Sequence, residues 1–204
     1  MRFEEKFQLG SARLKDWDYS QDGFYFVTIC SYSRANIFGE IRNDQMILGD
    51  FGKIVERCWR AIPTHFVNVN LDKFVIMPNH LHGIVVIDNP NPKNTTCLDV
   101  ETLHATFLQN QNTMFLNTRK TNYYSKISPK PNSLSTVIRS FKSAVTKNIH
   151  QITPALDRVW QNNFFDHIIR DDEELNRIRD YIILNPKLWN EDKENLKLDS
   201  STLI

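Results

Sequence analysis

Residues 66–87, FVNVNLDKFVIMPNHLHGIVVI, contain the pattern that decides the fold. Two apolar, β-branched runs, over 66–77 and over 80–87, flank a short break at Pro78-Asn79. A tight turn between two such runs is typical of a β-hairpin. The stretch therefore predicts two adjacent antiparallel strands.

On either side of this hairpin, the chain alternates between strand-like and helix-like patterns. The predicted elements are a strand over 23–31, a short extended segment at Gln45–Leu48 that could pair with it, a helix capped by Asp50 and ended by Pro63, a helix from Ser133 to Ile149, an extended segment over 158–169, and a helix from near Asp171 to about Asn185 that stops at Pro186. The resulting order, β, β, α, β, β, α, β, α, does not fit a doubly wound parallel sheet. It predicts an α+β domain with a ferredoxin-like (RRM-like) antiparallel sheet, helices on one face and the last helix near the C-terminus.

The length of the chain, 204 residues, suits a single domain. We expect this domain to span residues 1–189. Residues 89–132 are rich in Asn, Thr, Pro and Lys and show little periodicity, which indicates a flexible insertion within the domain. Residues 190–204 are polar and are expected to form a loose C-terminal tail.

The composition argues against a membrane protein or a disulfide-stabilised one. The three cysteines, Cys30, Cys58 and Cys97, are widely spaced and indicate neither a disulfide framework nor a zinc site. No stretch is long and apolar enough to cross a membrane, and the N-terminus lacks the apolar region of a signal peptide. The expected location is the cytoplasm. The net charge of +1 excludes a uniformly basic protein but says nothing of local patches.

Two histidines begin the second strand of the hairpin. Because side chains alternate faces along a strand, His80 and His82 point the same way, beside Ile84 and Val86. Two imidazoles so placed could share one metal ion, although a metal site needs at least one further ligand. The pair could equally make only hydrogen bonds at a strand end.

The last predicted helix offers a candidate for that further ligand. Tyr181 and Asn185 are four residues apart, so they lie on one side of the helix, next to its apolar stripe. Histidine nitrogens with an amide oxygen would form a mixed site that accepts Mn²⁺ or Mg²⁺. A metal bound to a phosphate would make phosphorus more susceptible to attack by a tyrosine hydroxyl, whose ordinary pKa is about 10. Alternatively, Tyr181 is a packing residue and Asn185 a helix cap.

A basic segment precedes that helix. Between Arg119 and His150 there are seven lysines and arginines and no acidic residue. Basic side chains can follow a phosphate backbone, and aromatic ones can stack on bases. The alternative is a solvated helix face plus a charged loop. The candidate DNA contacts are Arg139, Lys142, Lys147, Lys126, Tyr123 and Tyr124.

Four segments together resemble the REP-associated tyrosine transposases, relatives of the small single-tyrosine insertion-sequence transposases in the HUH endonuclease superfamily. The segments are RLKDWDYSQDGFYFVTIC, FVIMPNHLHGIVVI, LSTVIRSFKSAVTKNI and VWQNNFFDHIIRDDEELNRIRDYIILNP. Their order and spacing agree over nearly all of residues 13–189. Residues 89–132 depart from the compact members, and no function is transferred to them.

The resemblance implies a role for each candidate site residue. The two histidines of the HUH motif correspond to His80 and His82, the nucleophile to Tyr181 in DYIILNP, and the amide that completes the metal site to Asn185. It also implies Mg²⁺ or Mn²⁺ as cofactor and imperfect palindromic DNA hairpins, cleaved through a 5′-phosphotyrosine, as substrate. Relatives work as monomers or as homodimers, so both states remain open.

Three functions are therefore compatible with the sequence. The first is a metal-dependent endonuclease and strand transferase for single-stranded DNA. The second is a module that binds hairpins without cutting them, as an RRM-like sheet can. The third is a phosphodiesterase that uses water, with Tyr181 in a structural role. Only the first requires a covalent link between Tyr181 and DNA.

Overall fold

A four-stranded antiparallel sheet with the strand order β4-β5-β1-β6 forms the centre of the fold. The computed structural model describes residues 14, 17–89, 130–192 and 194–195. The strands are β1 Gly23–Cys30, β2 Gly39–Arg42, β3 Gln45–Leu48, β4 Val69–Ile76, β5 His80–Ile87 and β6 Phe165–Ile169. The helices are α1 Asp50–Arg60, α2 Ile62–His65, α3 Leu134–Ile152 and α4 Asp172–Leu184, followed by a 3₁₀ helix over Asn185–Glu191.

The connections between the four central strands are those of a ferredoxin-like fold. A helical crossover separates β1 from β4, a tight turn joins β4 to β5, and α3 precedes β6. The outer strand β6 pairs antiparallel with β1, and β1 pairs antiparallel with β5. The predicted α+β class and the predicted hairpin of β4 and β5 are both confirmed.

The two faces of the sheet bury separate apolar clusters. The larger cluster lies under α1 and α3 and includes Trp59 and Phe141, whose rings meet edge to face with centroids 5.1 Å apart. The smaller cluster joins Phe26 and Ile84 on the other face to Leu175, Ile178 and Ile182 of α4. Strand alternation explains this division, because His80, His82 and Ile84 share the α4 face whereas Leu81 and Val85 face α1 and α3.

Gly83, next to His82, allows α1 to approach the sheet closely. A Cβ atom at this position would lie 2.5 Å from Cζ2 of Trp59, which is fully buried. Any larger residue would displace the indole ring and the strand that carries the histidines.

Several predicted boundaries were wrong in detail. Gln45–Leu48 pairs with β2 in a separate hairpin, whereas the sequence suggested pairing with the first strand. Gly49 occupies the N-cap of α1, so Asp50 is the first helical residue and not the cap. Pro63 lies in the first turn of the short helix α2, which begins at Ile62, because a proline needs no N–H partner there.

Pro186 also acts differently from the prediction. The α-helix ends at Leu184, but the chain continues as a 3₁₀ helix that has Pro186 in its first turn. A proline removes one backbone donor, which ends the α-helical bonding without preventing a tighter helix from starting. The consequence is that residues 185–191 continue to pack beside the sheet instead of leaving it.

Most of the predicted insertion, residues 90–129, lies outside the described residues, as do residues 196–204 of the predicted tail. Within the described part of the chain, no helix is both long and apolar enough to span a membrane. Cys30 and Cys58 are free thiols. Cys97 lies outside the described residues.

Candidate metal and tyrosine site

His80 and His82 lie side by side at the start of β5, on the face that α4 covers. Both are buried, with exposed fractions of 0% and 3%. Their Nε2 atoms are 3.0 Å apart. Two nitrogens that each bind one ion at about 2.1 Å are separated by roughly 3 Å when the two bonds are near a right angle, so the spacing suits a shared metal.

Asn79 fixes the orientation of His80. Its amide Nδ2 donates hydrogen bonds to the carbonyl oxygens of Glu194, at 2.6 Å, and Arg34, at 3.1 Å. Its Oδ1 is therefore the atom that faces Nδ1 of His80, at 2.8 Å, and it accepts the proton carried there. Nε2 of His80 then has no proton, and its lone pair faces His82.

Thr28, directly across from His82 on β1, holds the second imidazole. Its Oγ1 lies 2.8 Å from Nδ1 of His82. If Nδ1 donates this hydrogen bond, both Nε2 lone pairs face one another at 3.0 Å, an arrangement that a shared cation would stabilise. If the threonine hydroxyl donates, Nε2 of His82 carries the proton and donates to His80. The contacts accommodate both tautomers.

Burial keeps both histidines neutral. It lowers the pKa of His82 to about 3. It also lowers the pKa of His80 well below its usual value, with smaller contributions from His82 and Arg34. The neutral imidazole is the form that binds metal ions. Since His80 is neutral, its 3.7 Å contact with Oδ2 of Asp192 is not an ion pair.

Tyr181 points from α4 towards the histidines. Its hydroxyl oxygen is 3.2 Å from Nε2 of His82, and the two ring centroids are 5.2 Å apart. Phe26 supports both rings: it stacks on His82 at 5.4 Å and meets Tyr181 edge to face at 6.2 Å. The structure therefore brings the predicted tyrosine and the predicted histidine pair together.

Asn185, one helical turn beyond Tyr181, is 2% exposed. Its Oδ1 is buried and has no hydrogen-bond partner among the residues that the structure describes. Tyr181 before it touches His82, and the ring of Trp189 after it lies 6.0 Å from that of His80. Asn185 therefore lies between two residues that face the histidine pair. A buried amide oxygen with no partner can act as a ligand for a cation.

Asp192 was not among the predicted ligands, because it falls in the segment that was expected to form a loose polar tail. Ligand atoms of His80, His82 and Asp192 all lie within 4.8 Å of one another. The 3₁₀ helix carries the chain past the site and places the Asp192 carboxylate near His80. No local pattern marks it, because a single aspartate among polar residues has no periodicity.

Asp192→Asn is expected to weaken Mn²⁺ binding roughly tenfold, because the amide has a similar shape but lacks the negative charge that attracts a divalent cation. Titration calorimetry with Mn²⁺ measures this directly. Glu191→Gln removes the neighbouring exposed carboxylate and is the matched control, with unchanged affinity. Equal affinities for wild type and Asp192→Asn would show that the carboxylate does not help to bind the ion.

The predicted DNA contacts on α3 lie away from this site, under the other face of the sheet. Arg139 and Lys147 line a groove of 680 Å³ between α3 and residues 157–164, together with Arg158. Lys142 also lines it. The remaining predicted contacts, Lys126, Tyr123 and Tyr124, lie outside the described residues.

Lys142 has a structural role that the sequence did not indicate. Its Nζ donates to three consecutive backbone carbonyls, of Gln161 at 2.5 Å and of Asn162 and Asn163 at 3.2 Å each. Burial lowers the pKa of this lysine to about 8. Its ammonium group is therefore committed to holding the 161–163 loop, which argues against the predicted phosphate contact.

A comparison with solved structures supports the fold. A REP-associated tyrosine transposase solved with a REP hairpin aligns with 89% of this chain and 76% of its own, with a TM-score of 0.53 and 15% identity. A transposase candidate from Deinococcus radiodurans aligns with 87% of this chain and 96% of its own, but its TM-score of 0.41 and 11% identity add nothing to the assignment. No protein-family model matches the sequence.

The chain thus has the fold of the REP-associated tyrosine transposases, as the sequence resemblance predicted. A Haemophilus influenzae protein described only as uncharacterised is 39% identical over 184 residues, which are 90% of this chain and 91% of that protein. The chain belongs to the same family as this Haemophilus protein.

Proposed function

We propose that this protein is a metal-dependent endonuclease and strand transferase for single-stranded DNA, in which Tyr181 is the nucleophile. One observation carries the proposal: the Tyr181 hydroxyl lies 3.2 Å from a buried histidine whose Nε2 is 3.0 Å from that of a second histidine. A purely structural role of Tyr181 would not require two neutral imidazoles that can bind a metal beside its hydroxyl. The fold shared with a tyrosine transposase supports the same assignment.

The proposed metal ligands are His80, His82 and Asn185, with Asp192 as an additional carboxylate. Two nitrogens with amide and carboxylate oxygens suit Mn²⁺, and Mg²⁺ with retained waters. When bound, such an ion polarises the scissile phosphate and neutralises charge that develops on it. The buried Oδ1 of Asn185, which has no partner among the described residues, supports its inclusion.

The proposed reaction exchanges one phosphate ester for another. The Tyr181 hydroxyl oxygen forms a bond to phosphorus, and the bond between phosphorus and the 3′ oxygen breaks. The phenol proton leaves to solvent, and the departing 3′ oxygen takes up a proton. The products are a 5′-phosphotyrosine and a free 3′-hydroxyl, so a second 3′-hydroxyl can reverse the exchange and join the strands.

Within the site, the protein's own contacts orient the nucleophile. Phe26 restricts the rings of Tyr181 and His82, because it packs against both. Thr28 and Asn79 hold the two imidazoles from the side away from the hydroxyl. Such fixed orientation lowers the entropy that must be lost to reach the transition state.

The proposed substrate is a single-stranded DNA hairpin, and the groove along α3 is its proposed backbone contact. Strand β1 links the groove to the site. The backbone N–H of Gln161, at the rim of the groove, donates to the Cys30 carbonyl at 3.0 Å, and Cys30 pairs with His80 on β5. Two strand spacings, about 10 Å, therefore separate the rim of the groove from the histidine strand. One DNA molecule could contact both.

Arg139→Gln and Lys147→Gln are each expected to lower the slope of log affinity against log salt by about 1 without changing the melting temperature, because each removes one phosphate contact. Lys142→Met is expected to lower the melting temperature, since three carbonyls lose their donor, and to leave the slope of log affinity against log salt unchanged. Fluorescence anisotropy with a labelled hairpin at several salt concentrations, paired with thermal unfolding, separates the two effects.

The proposed function is tested by incubating the protein with a labelled hairpin oligonucleotide with Mn²⁺, with Mg²⁺ and with a chelator. Cleavage with either metal, lost on chelation and accompanied by a protein-linked product, supports it. Tight binding without any product in either metal would favour a hairpin-binding module. Cleavage without a protein-linked product would favour attack by water.

A further inference from the structure

The helix that carries Tyr181 is tied to both edge strands of the sheet by polar contacts outside the proposed site. Arg179 of α4 contacts Asp72 on β4. Near the start of the helix, Glu174 contacts His167 on β6, with 2.9 Å between Nε2 and Oε1. Both helix residues precede Tyr181, and the strands that they contact, β4 and β6, are at opposite edges of the sheet.

The Arg179 contact is the more directional of the two. Its Nε is 3.0 Å from Oδ1 of Asp72, and its Nη2 is 2.5 Å from Oδ2, so the guanidinium grips both carboxylate oxygens. Asn176 accepts a further hydrogen bond from Nη1 at 3.0 Å. Asp72 sits where the register of β4 against β5 shifts, between Leu71 and Phe74. Such an irregularity can redirect a side chain, here towards the helix.

The apolar contacts of α4 do not fix its rotation by themselves. Only Leu175, Ile178 and Ile182 are buried along the helix. Apolar burial is non-directional, so a narrow stripe of three residues tolerates a small rotation or slide. Arg179 and Tyr181 project from opposite sides of this stripe, since helical positions advance by about 100° per residue. Rotation that lifts Tyr181 away from His82 would therefore break the grip of Arg179.

We infer that Asp72 and Arg179 form a clamp that sets the rotation of α4 and thereby holds the Tyr181 hydroxyl over His82. Both are positioning residues: neither is among the residues proposed to bind metal or attack DNA. The expected effect on the rate of adduct formation rests on the proposed function, whereas the expected effect on the orientation of α4 does not. The Arg179 contact also lowers the pKa of the Asp72 carboxyl, which is consistent with an ionised partner.

The kinetic test is a double-mutant cycle of Asp72→Asn, Arg179→Gln and the double variant. Each single change is expected to slow adduct formation at saturating hairpin by roughly 10- to 100-fold, because a misplacement of about 1 Å can cost that much. The KM for the hairpin should stay within about twofold, since no proposed DNA contact changes. The double variant should be no slower than either single one, as for two residues that act as a unit.

Arg177→Gln is the matched control on the same helix. Arg177 pairs with Glu173 at 3.5 Å on the exposed face of α4, and it forms no hydrogen bond or ion pair with a strand in the part of the chain that the structure describes. Its replacement should leave the rate of adduct formation unchanged. Rates unaffected in the Asp72 and Arg179 variants, or effects that add in the double variant, would overturn the clamp.

Hydrogen exchange gives a readout that does not depend on cleavage. In Asp72→Asn, amides of α4 should exchange faster than in wild type, whereas those of α3 should not change. If the wild-type protein forms no adduct with any metal, the proposed function fails and this exchange pattern alone decides the clamp. Unchanged exchange in α4 would overturn the clamp whatever the activity.

Discussion

Tyr181→Phe is expected to abolish strand cleavage and adduct formation while leaving hairpin binding and Mn²⁺ binding intact. The substitution removes one hydroxyl oxygen and keeps the ring that packs on Phe26. The Tyr181 hydroxyl oxygen lies 3.2 Å from Nε2 of His82, and a hydrogen bond of this kind contributes about 1 kcal/mol to stability. The fold should therefore survive, and the cleavage rate should fall by at least roughly a thousandfold, as for loss of a covalent nucleophile.

The measurement is single-turnover cleavage of a labelled hairpin with Mn²⁺, followed on a denaturing gel that also resolves the protein-linked product. Tyr32→Phe is the matched control, because it removes the same oxygen from an exposed tyrosine. It should cleave at the wild-type rate. Wild-type cleavage by Tyr181→Phe would show that another group attacks, and the water-dependent mechanism would then be preferred.

His82→Ala is expected to have the second largest effect, the loss of both metal binding and cleavage. His82 is placed at the centre of the site: its Nε2 is within 3.0 Å of His80 and 3.2 Å of the Tyr181 hydroxyl. Removing one of two nitrogen ligands should weaken Mn²⁺ affinity by roughly a hundredfold or more. His80→Ala should also weaken Mn²⁺ binding and cleavage, because the Nε2 atoms of the two imidazoles are 3.0 Å apart and are proposed to bind the same ion.

Titration of Mn²⁺, followed by calorimetry or by electron paramagnetic resonance of the free ion, measures this effect without an activity assay. The matched control is His65→Ala, which removes an exposed histidine from α2. In the absence of metal, His80→Ala, His82→Ala and His65→Ala should each bind the hairpin with the affinity of wild type, since the α3 groove is unchanged. Wild-type Mn²⁺ affinity in both His80→Ala and His82→Ala would contradict the assignment of the histidine pair.

The central part of the site could be predicted because regular secondary structure converts sequence spacing into geometry. A spacing of two on a strand put His80 and His82 on one face, and a spacing of four on a helix put Tyr181 and Asn185 on one side. The family resemblance joined these two pairs into one site. The structure places the Tyr181 hydroxyl 3.2 Å from His82, while the roles of Tyr181 as nucleophile and of His80, His82 and Asn185 as ligands stay predictions.

The residues that orient the site depend on strand register, which the sequence alone did not determine. Thr28 reaches His82 because β1 and β5 pair in one particular alignment, and a shift by one residue would turn its hydroxyl to the other face. Asp192 depends on the 3₁₀ helix that follows Pro186. Lys142 depends on a loop 19 residues away folding back over α3. Each of these is a contact between distant segments without a local pattern.

The assignment of Tyr181 as the nucleophile is tested most directly by identifying the amino acid that becomes attached to DNA. Wild-type protein is incubated with a hairpin oligonucleotide and Mn²⁺, the protein-linked product is digested, and the modified peptide is sequenced by mass spectrometry. We expect a 5′-phosphate ester on Tyr181, in the peptide that contains DYIILNP. A cleaved hairpin with a free 5′-phosphate and no modified peptide, or an ester on any other residue, would contradict it.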